Sequence, residues 1–392
     1  MEQVKIFSCD NKTTISLFGR IDSSFVQTNS EQIEKAIVKG ADIVFDFENV
    51  EYISSAGLRL ILKTAKEVKS TEVINVNNEV YEVFEISGFT QIIKVKKALR
   101  VLSVEGKEII GEGANGKVYR YDIDTIIKVY KDSSKLGDIE NEISMSKKAF
   151  MLGVPTAIPF DIVRIKEGGY GCVYELLKSE VLSSLFAKNP ENFDEYCKLF
   201  VDAVSKFMHT TTDDDTLPKK IDYARSWISF YKEKHLFSND VILKIENLFK
   251  TIEKGNTLIH GDFHIKNIMI QNNEAIIIDM DTLGVGHPIF EIGYSYYSMV
   301  EYDKYCPEKS LEFFGVNYEI VTKVFFETFN LIFKDKTKEE KEEILEKLRL
   351  FANLRIVYKA LHRVPGDPEL GNLAVKYVEE HIYKVKSLDF SL

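Results

Sequence analysis

Along the first hundred residues, short apolar stretches exchange with stretches in which apolar residues recur every three or four positions. Residues 13–19 (TTISLFG) and 41–47 (ADIVFDF) read as strands, and residues 30–40 and 55–69 as amphipathic helices. A strand over residues 71–78, a short helix over 79–89 and a last strand over 91–97 follow. Gly40 and Gly88 stand where helix ends favour a left-handed residue. Residues 1–100 are therefore expected to form a small α/β domain with its own core.

The grammar changes after a boundary near residues 98–106. Two β-type runs flank a glycine-rich turn, and a helix is expected over residues 138–153. A strand then leads into a polar exit at 168–180 (GGYGCVYELLKSE). From about residue 320 the pattern is helical: residues 321–333, 342–364 and, past the break PGDPELGN, 373–385. The charged run KDKTKEEKEEILEK reads as a solvated helix face. Phe and Tyr residues at helical spacing in this tail read as core.

A chain of 392 residues is long for one core, so at least two domains are expected. Hydrophobic residues at 45% and charged residues at 29% are globular composition. No apolar run approaches the roughly 18–20 residues of a membrane span, and the N-terminus has no signal-peptide core; no membrane association and a cytoplasmic, bacterial-type protein are expected. Cys9, Cys172, Cys197 and Cys306 are scattered, which argues against a zinc site or a disulfide framework. The net charge of −10 argues against a nucleic-acid partner. Residues 1–100 carry 13 Lys+Arg against 14 Asp+Glu, leaving 51−13=38 against 61−14=47 for the rest, a net of −9. That excess suits either a cationic substrate or a solubility surface.

In the first domain, VEYISSAGLRLIL is the informative piece: a strand ending at Phe47 crosses a turn into a helix opening near Ser54 and Ser55. The order of elements and this motif resemble the STAS domain of anti-sigma-factor antagonists. Ser54 takes the place of that family's Asp and Ser55 the place of its phosphorylated serine. The resemblance implies an anti-sigma-factor-like partner and a regulatory phosphosite at Ser55. Either serine equally serves as a plain helix cap.

In the second domain, Gly111, Gly113 and Gly116 lie between β-type runs, which favours a hairpin over phosphates and disfavours a dinucleotide-binding turn; a plain tight hairpin is the other reading. Lys128 sits in an apolar strand, where a cation is costly without an anionic partner. Glu142 on the next helix is the favoured partner over Glu140, and an edge-strand lysine reaching solvent is the alternative. His260-Gly261-Asp262 with Asn267 five residues beyond the Asp has the catalytic-loop spacing of protein kinases, and the strand AIIID brings Asp279 to its end. The His-Gly-Asp-x-His version, followed by Ile-Asp-x-Asp, resembles aminoglycoside phosphotransferases and choline kinase-like enzymes from about residue 105 to the C-terminus.

The fold expected is thus α/β and α+β: a STAS-type domain at 1–100, then a bilobal kinase-like domain with lobes at 105–178 and 179–392. The resemblance implies an ATP- and Mg²⁺-dependent phosphotransferase acting on a hydroxyl of a small molecule or a protein. In it Asp262 is the catalytic base, and Asn267 and Asp279 hold metal. Lys128, paired with Glu142, holds phosphates under the glycine turn, and backbone near Glu175 and Leu177 meets the adenine. His260 braces the loop and His264 shapes it or is structural. Three features depart from the family pattern: His287 and Glu291 stand where it has Asp, and Asp281 is a metal contact or a turn residue. A nucleotide-binding pseudokinase or scaffold is the alternative, and phosphorylation of Ser55 by the chain's own kinase domain is a third possibility.

Overall fold

The computed structural model describes residues 3–38, 40–112, 116–131, 136–252 and 254–392, with the backbone alone at Asp303. The chain separates into two compact units, residues 1–103 with 163–166, and residues 104–162 with 167–392.

The first unit runs β1 (Val4–Cys9), β2 (Lys12–Ile21), α1 (Ser23–Ala36), β3 (Asp42–Ile53), α2 (Ser55–Glu67), β4 (Ser70–Val76), α3 (Asn78–Ile86), β5 (Lys94–Lys97) and β6 (Arg100–Leu102). The first five strands form one sheet in sequence order. β1 and β2 make an antiparallel hairpin, and the later neighbours are parallel. β6 pairs in parallel with Val163–Ile165. The core gathers Ile15, Phe45, Phe47, Ile61, Val73 and Phe84.

Three differences from the sequence pattern have local causes. β1 buries only Val4 fully, so its period is faint. α1 starts seven residues before the expected Ser30 because the Asp22 carboxylate accepts from the Phe25 N–H and caps it. β3 continues past Phe47 to Ile53: register shifts against β2 bring Phe47, Val50 and Ile53 inward at a spacing of three, which masks the strand's alternation. Gly88 is left-handed after α3, whereas Gly40 is left-handed in the turn beyond α1, which ends at Ala36.

The second unit opens with β7 (Ile109–Glu112), β8 (Gly116–Arg120), β9 (Thr125–Tyr130), α4 (Leu136–Met151), β10 (Pro159–Ile165) and β11 (Tyr170–Glu175). These strands lie in the order β10-β11-β9-β8-β7. β7 and β8 pair antiparallel on either side of the glycine-rich segment, of which residues 113–115, Gly113 among them, fall outside the described residues. Then come β12 (Glu180–Val181), α5 (Leu182–Lys188), α6 (Phe193–His209), α7 (Lys220–Glu233), α8 (Asn239–Lys250) and the short strands β13 (Thr257–Ile259), β14 (Ile268–Gln271), β15 (Glu274–Ile277) and β16 (Gly284–Gly286). The helices α9 (Ile289–Tyr296), α10 (Tyr302–Tyr305), α11 (Pro307–Phe314), α12 (Tyr318–Ile332), α13 (Lys338–His362) and α14 (Pro368–His381) complete the chain. β13 pairs with β16 and β14 with β15, so the loop after β13 and the loop after β15 are tied side by side. The solvated run at 334–347 opens α13 through a capping box between Thr337 and Glu340. Among the described residues no helix is long and apolar enough to cross a membrane.

Candidate active site

β9 carries Lys128 and α4 carries Glu142 to the same point. The Lys128 ammonium donates to Glu142 at 2.7 Å and to Asp279 at 3.3 Å. Glu142, a buried carboxylate, also accepts from the Tyr130 hydroxyl at 2.7 Å and the Tyr174 hydroxyl at 3.0 Å. Burial alone would lower Lys128, but the charges of Asp279 and Glu142 and the Glu142 hydrogen bond hold it above the ordinary lysine range. The edge-strand alternative does not hold, because β9 lies between β8 and β11 and Lys128 has two carboxylate partners. Glycine at 116 is enforced by the pairing with β9: a Cβ there would lie 2.0 Å from the Val129 carbonyl oxygen.

The loop after β13 is held by its own backbone. The His260 ring spans two neighbours, with Nε2 3.0 Å from the Ile278 carbonyl and Nδ1 accepting from the Asp262 N–H at 3.2 Å. The Nδ1 contact assigns the proton of the neutral ring to Nε2. Burial lowers the imidazole to about 4, so it stays neutral. Gly261 is left-handed, and a Cβ on it would press against the Lys220 ammonium and the Thr282 carbonyl. Asn267 donates its side-chain amide to the Asp262 carbonyl at 3.0 Å and accepts the Ile278 N–H on its own carbonyl at 2.9 Å. The two loops are thereby locked in register, with the Asn267 side-chain oxygen left available.

Asp262 itself faces outward, 45% exposed, 3.7 Å from His264 Nε2. Burial opposes its ionisation, but the His264 ring and the Arg355 charge outweigh that and keep it below the usual carboxylate range. His264 is buried edge-on against Phe313 and Phe314, and its Nδ1 has no hydrogen-bond partner among the described residues.

Asp279 stands two residues beyond the end of β15, not at its tip, and takes a left-handed backbone, φ 68°. Such a conformation is costly for a non-glycine residue and collects at functional sites. Asp281 is pushed up to about 7 by burial and by the negative charges of Asp279 and Glu142, with Lys128 opposing. Carboxylates here exceed the one lysine, which is the electrostatic setting a bound divalent cation relieves. No three His, Cys, Asp or Glu side chains among the described residues converge on a metal position.

Comparison with known proteins bears on this arrangement. The family model for the phosphotransferase enzyme family matches residues 108–313, just over half of the chain. The chain belongs to that family. A STAS domain model matches residues 7–101 of this phosphotransferase-family chain. Over 76 residues it is 38% identical to "Putative anti-sigma factor antagonist BtrV" of Bordetella bronchiseptica (strain ATCC BAA-588 / NCTC 13252 / RB50), covering 17% of this chain and 66% of that protein. Among solved structures, an aminoglycoside phosphotransferase APH(4)-Ia mutant in ternary complex with ADP and hygromycin B is similar at 11% identity and TM-score 0.48, covering 72% of this chain and 94% of that one. The gentamicin–APH(2")-IIa complex is similar at 17% identity and TM-score 0.43, covering 78% and 97%.

In this family member, Glu291 at the start of α9 accepts the His260 N–H at 2.5 Å and the Gly261 N–H at 3.4 Å, so the longer acid still grips the loop. Burial raises it to about 8, and burial lowers its neighbour Lys220 to about 8. Lys220 donates to the Thr282 carbonyl. His287 turns away from this loop: Nε2 meets Asp389 at 2.9 Å, and the ring packs on Phe390. It fastens the C-terminal segment. Glu175 commits its N–H to the Ile158 carbonyl and its carboxylate to the Ile158 N–H, while the Leu177 N–H has no partner among the described residues. Ser54, with its side chain accepting from the Ala56 N–H, is the cap of α2, and Ser55 is the exposed first residue of that helix.

Sequence reasoning missed Lys220, Arg355 and Lys359. Lys220 opens a helix in a run of two lysines, where nothing marks one as buried. Arg355 and Lys359 lie in a tail whose helical pattern reads as core.

Proposed function

We propose that the chain is an ATP- and Mg²⁺-dependent phosphotransferase acting on a hydroxyl, with its STAS domain as a regulatory or partner-binding module. The observation that carries this is the meeting of Lys128 and Glu142, from consecutive elements, with Asp279 from 151 residues downstream of Lys128, beside a loop that presents Asp262 and the Asn267 oxygen. Bound ATP would supply the γ-phosphoryl group, and Mg²⁺ would neutralise the β- and γ-phosphate charge. Lys128, kept charged by its two carboxylates, would contact the α- and β-phosphates below the turn bounded by Gly111 and Gly116. Asn267 and Asp279 would hold the metal, and the Leu177 N–H would be free to meet the adenine. Asp262, ionised and partly exposed, would orient the acceptor hydroxyl and take its proton.

Ser55 is the residue we assign to regulatory phosphorylation, with an anti-sigma-factor-like protein as the partner that reads it. Its exposure at a helix N-terminus supports this, since the first N–H groups of a helix favour a phosphate.

The test is γ-labelled ATP turnover by the full chain with Mg²⁺, against Asp262→Asn. Turnover should fall by about 10²- to 10⁴-fold while ATP binding is kept. Equal turnover in both would remove Asp262 from the reaction. ATP binding without turnover in either would favour the pseudokinase reading.

A further inference from the structure

The last turns of α13 carry Arg355 and Lys359 four residues apart, which places them along one face, and Arg363 follows as the extended residue that caps the helix. Lys359 and Arg363 line a cleft of about 460 Å³ together with Tyr297, Tyr302 and Lys309. Arg355 lies behind Tyr297, its guanidinium 3.6 Å from the centre of the Tyr294 ring and 5.1 Å from that of Tyr297. It is only 6% exposed, yet its Nε and Nη1 have no hydrogen-bond partner among the described residues.

Neither Lys359 nor Arg363 has a carboxylate partner among the described residues. The acids on the cleft wall are Asp367 and Glu369. Asp367 is already engaged, capping α14 at the Leu370 N–H and standing 4.0 Å from Lys309. Positive charge is thus in local excess, inside a chain whose net charge is −10.

A buried guanidinium without an acceptor is costly, and stacking on Tyr294 accounts for its position but not for its unused donors. It also leaves unexplained two more unpaired cations in the adjoining cleft. An anion bound in the cleft would pair Lys359 and Arg363, and the Arg355 charge behind Tyr297 would add to its attraction. Arg offers a planar fork that a carboxylate or phosphate fills bidentately, and Lys adds a point charge. The cleft adjoins the loop that carries Asp262: Ser295, two residues before the lining residue Tyr297, donates to the carbonyl of Phe263 at 2.8 Å, and the Arg355 charge acts on Asp262.

Resting on the phosphotransfer reading above, we propose that this cleft is the acceptor site and takes a small hydroxylated acid. Its carboxylate or phosphate sits against Lys359 and Arg363, with Arg355 adding its charge from behind Tyr297, and its hydroxyl lies toward Asp262. In the transfer, a bond forms between the hydroxyl oxygen and the γ-phosphorus. The bond from that phosphorus to the β–γ bridging oxygen breaks, ADP leaves with the electron pair, and the hydroxyl proton passes to Asp262. An acceptor bearing ammonium groups would meet like charges here, the opposite of what a cationic substrate requires.

The test uses the full chain and two readouts. Calorimetric titration with inorganic phosphate and with D-glycerate, at constant ionic strength, is compared in the wild type, the Lys359→Met/Arg363→Met double variant and Lys128→Met. Affinity for at least one anion should fall tenfold or more in the double variant and stay within twofold in Lys128→Met. Whichever anion binds more tightly identifies the acceptor as a carboxylate or a phosphate. No anion binding by the wild type, or binding that survives the double variant, overturns the proposal. ADP release is then measured with D-glycerate, glycerol 3-phosphate, choline and hygromycin B. Stimulation by the acids supports the assignment, and stimulation by choline or hygromycin B overturns it. Anion binding that depends on Lys359 and Arg363, in a chain that does not bind ATP, would keep the anion site and sink the phosphotransfer reading instead.

Discussion

Replacing Lys359 by Met should make the protein more stable at neutral pH. Lys359 is lowered from 10.5 to about 8, first by burial and then by repulsion from Arg355 and Arg363, with Asp262 and Asp281 opposing. At pH 7 the amine is charged in both folded and unfolded chains, so folding carries the whole cost of holding that charge. The displacement corresponds to about 3 kcal/mol at pH 7, a ceiling because the side chain is only partly buried. The folded value is the depressed one, so the penalty is full below about pH 8 and fades as pH rises toward 10.5. At pH 9.5 roughly 1.4 kcal/mol of it should remain. Methionine keeps most of the aliphatic stem's packing without the charge. The reporter is built in: Trp227, the chain's one tryptophan, is buried and stacks on Tyr358 at 6.0 Å, next to the substituted position. Urea unfolding followed by its fluorescence therefore reads the second unit. With a slope of about 2–3 kcal/mol per molar urea, the midpoint should rise by about 1 M at pH 7 and by about two-fifths of that at pH 9.5. A variant less stable than the wild type at pH 7, or one with equal gains at both pH values, would refute the reasoning. The expected pairing of higher stability with lost anion affinity is the mark of a residue kept for binding at the fold's expense.

Other substitutions separate roles that proximity blurs. Glu142→Gln removes the charge that three donors share, and should cost about 2–3 kcal/mol of stability and lower turnover by at least tenfold; urea unfolding and ADP release check both. Gly57→Ala places a Cβ 2.7 Å from the Ile21 carbonyl oxygen and 2.8 Å from the Ile53 side chain, a net loss of about 1–2 kcal/mol after the better helix propensity is allowed for. Faster hydrogen exchange along α2 is the measurement. Ser54→Ala should cost about 1 kcal/mol by removing the α2 cap, whereas Ser55→Ala should leave the same amides unchanged.

How legible the site was depends on how each residue gains its meaning. Lys128 was legible because a cation in an apolar strand demands a partner, and Asp262 with Asn267 because a five-residue spacing is fixed by the loop they close. Gly261 and Gly116 were legible as glycines but not in their reasons: one avoids Lys220 and Thr282, the other the Val129 carbonyl. β3 was misjudged at its end because bulges against β2 shift the inward positions from a spacing of two to three. The helical boundaries slipped where a cap decides them, as at Asp22 before α1 and Asp367 before α14. Lys220 was illegible in principle, since its burial is made by Gly261, Gly284 and Glu291, all more than forty residues downstream.

The substrate question turns on the same distinction between local and distant causes. His287 and Glu291 are the visible departures from the family pattern, and both look as though they should rewrite the chemistry. Glu291 instead reaches the two N–H groups at the head of the catalytic loop, and His287 secures the chain's end at Asp389. Neither faces the acceptor cleft. The net charge of −9 over the second half suits a cationic partner only if charge is spread evenly, and it is not. A sum over 292 residues says little about three cations gathered at the end of one helix. Arg355, Lys359 and Arg363 are drawn from a segment that periodicity assigns to core, and their effect appears only once α13 packs against Tyr294 and Tyr297. The residues we assign to ATP are therefore readable from spacing, because kinase-like sites share one phosphate-binding problem. The acceptor-facing residues are not, because the identity of the acceptor is written in which cations are left without partners after folding.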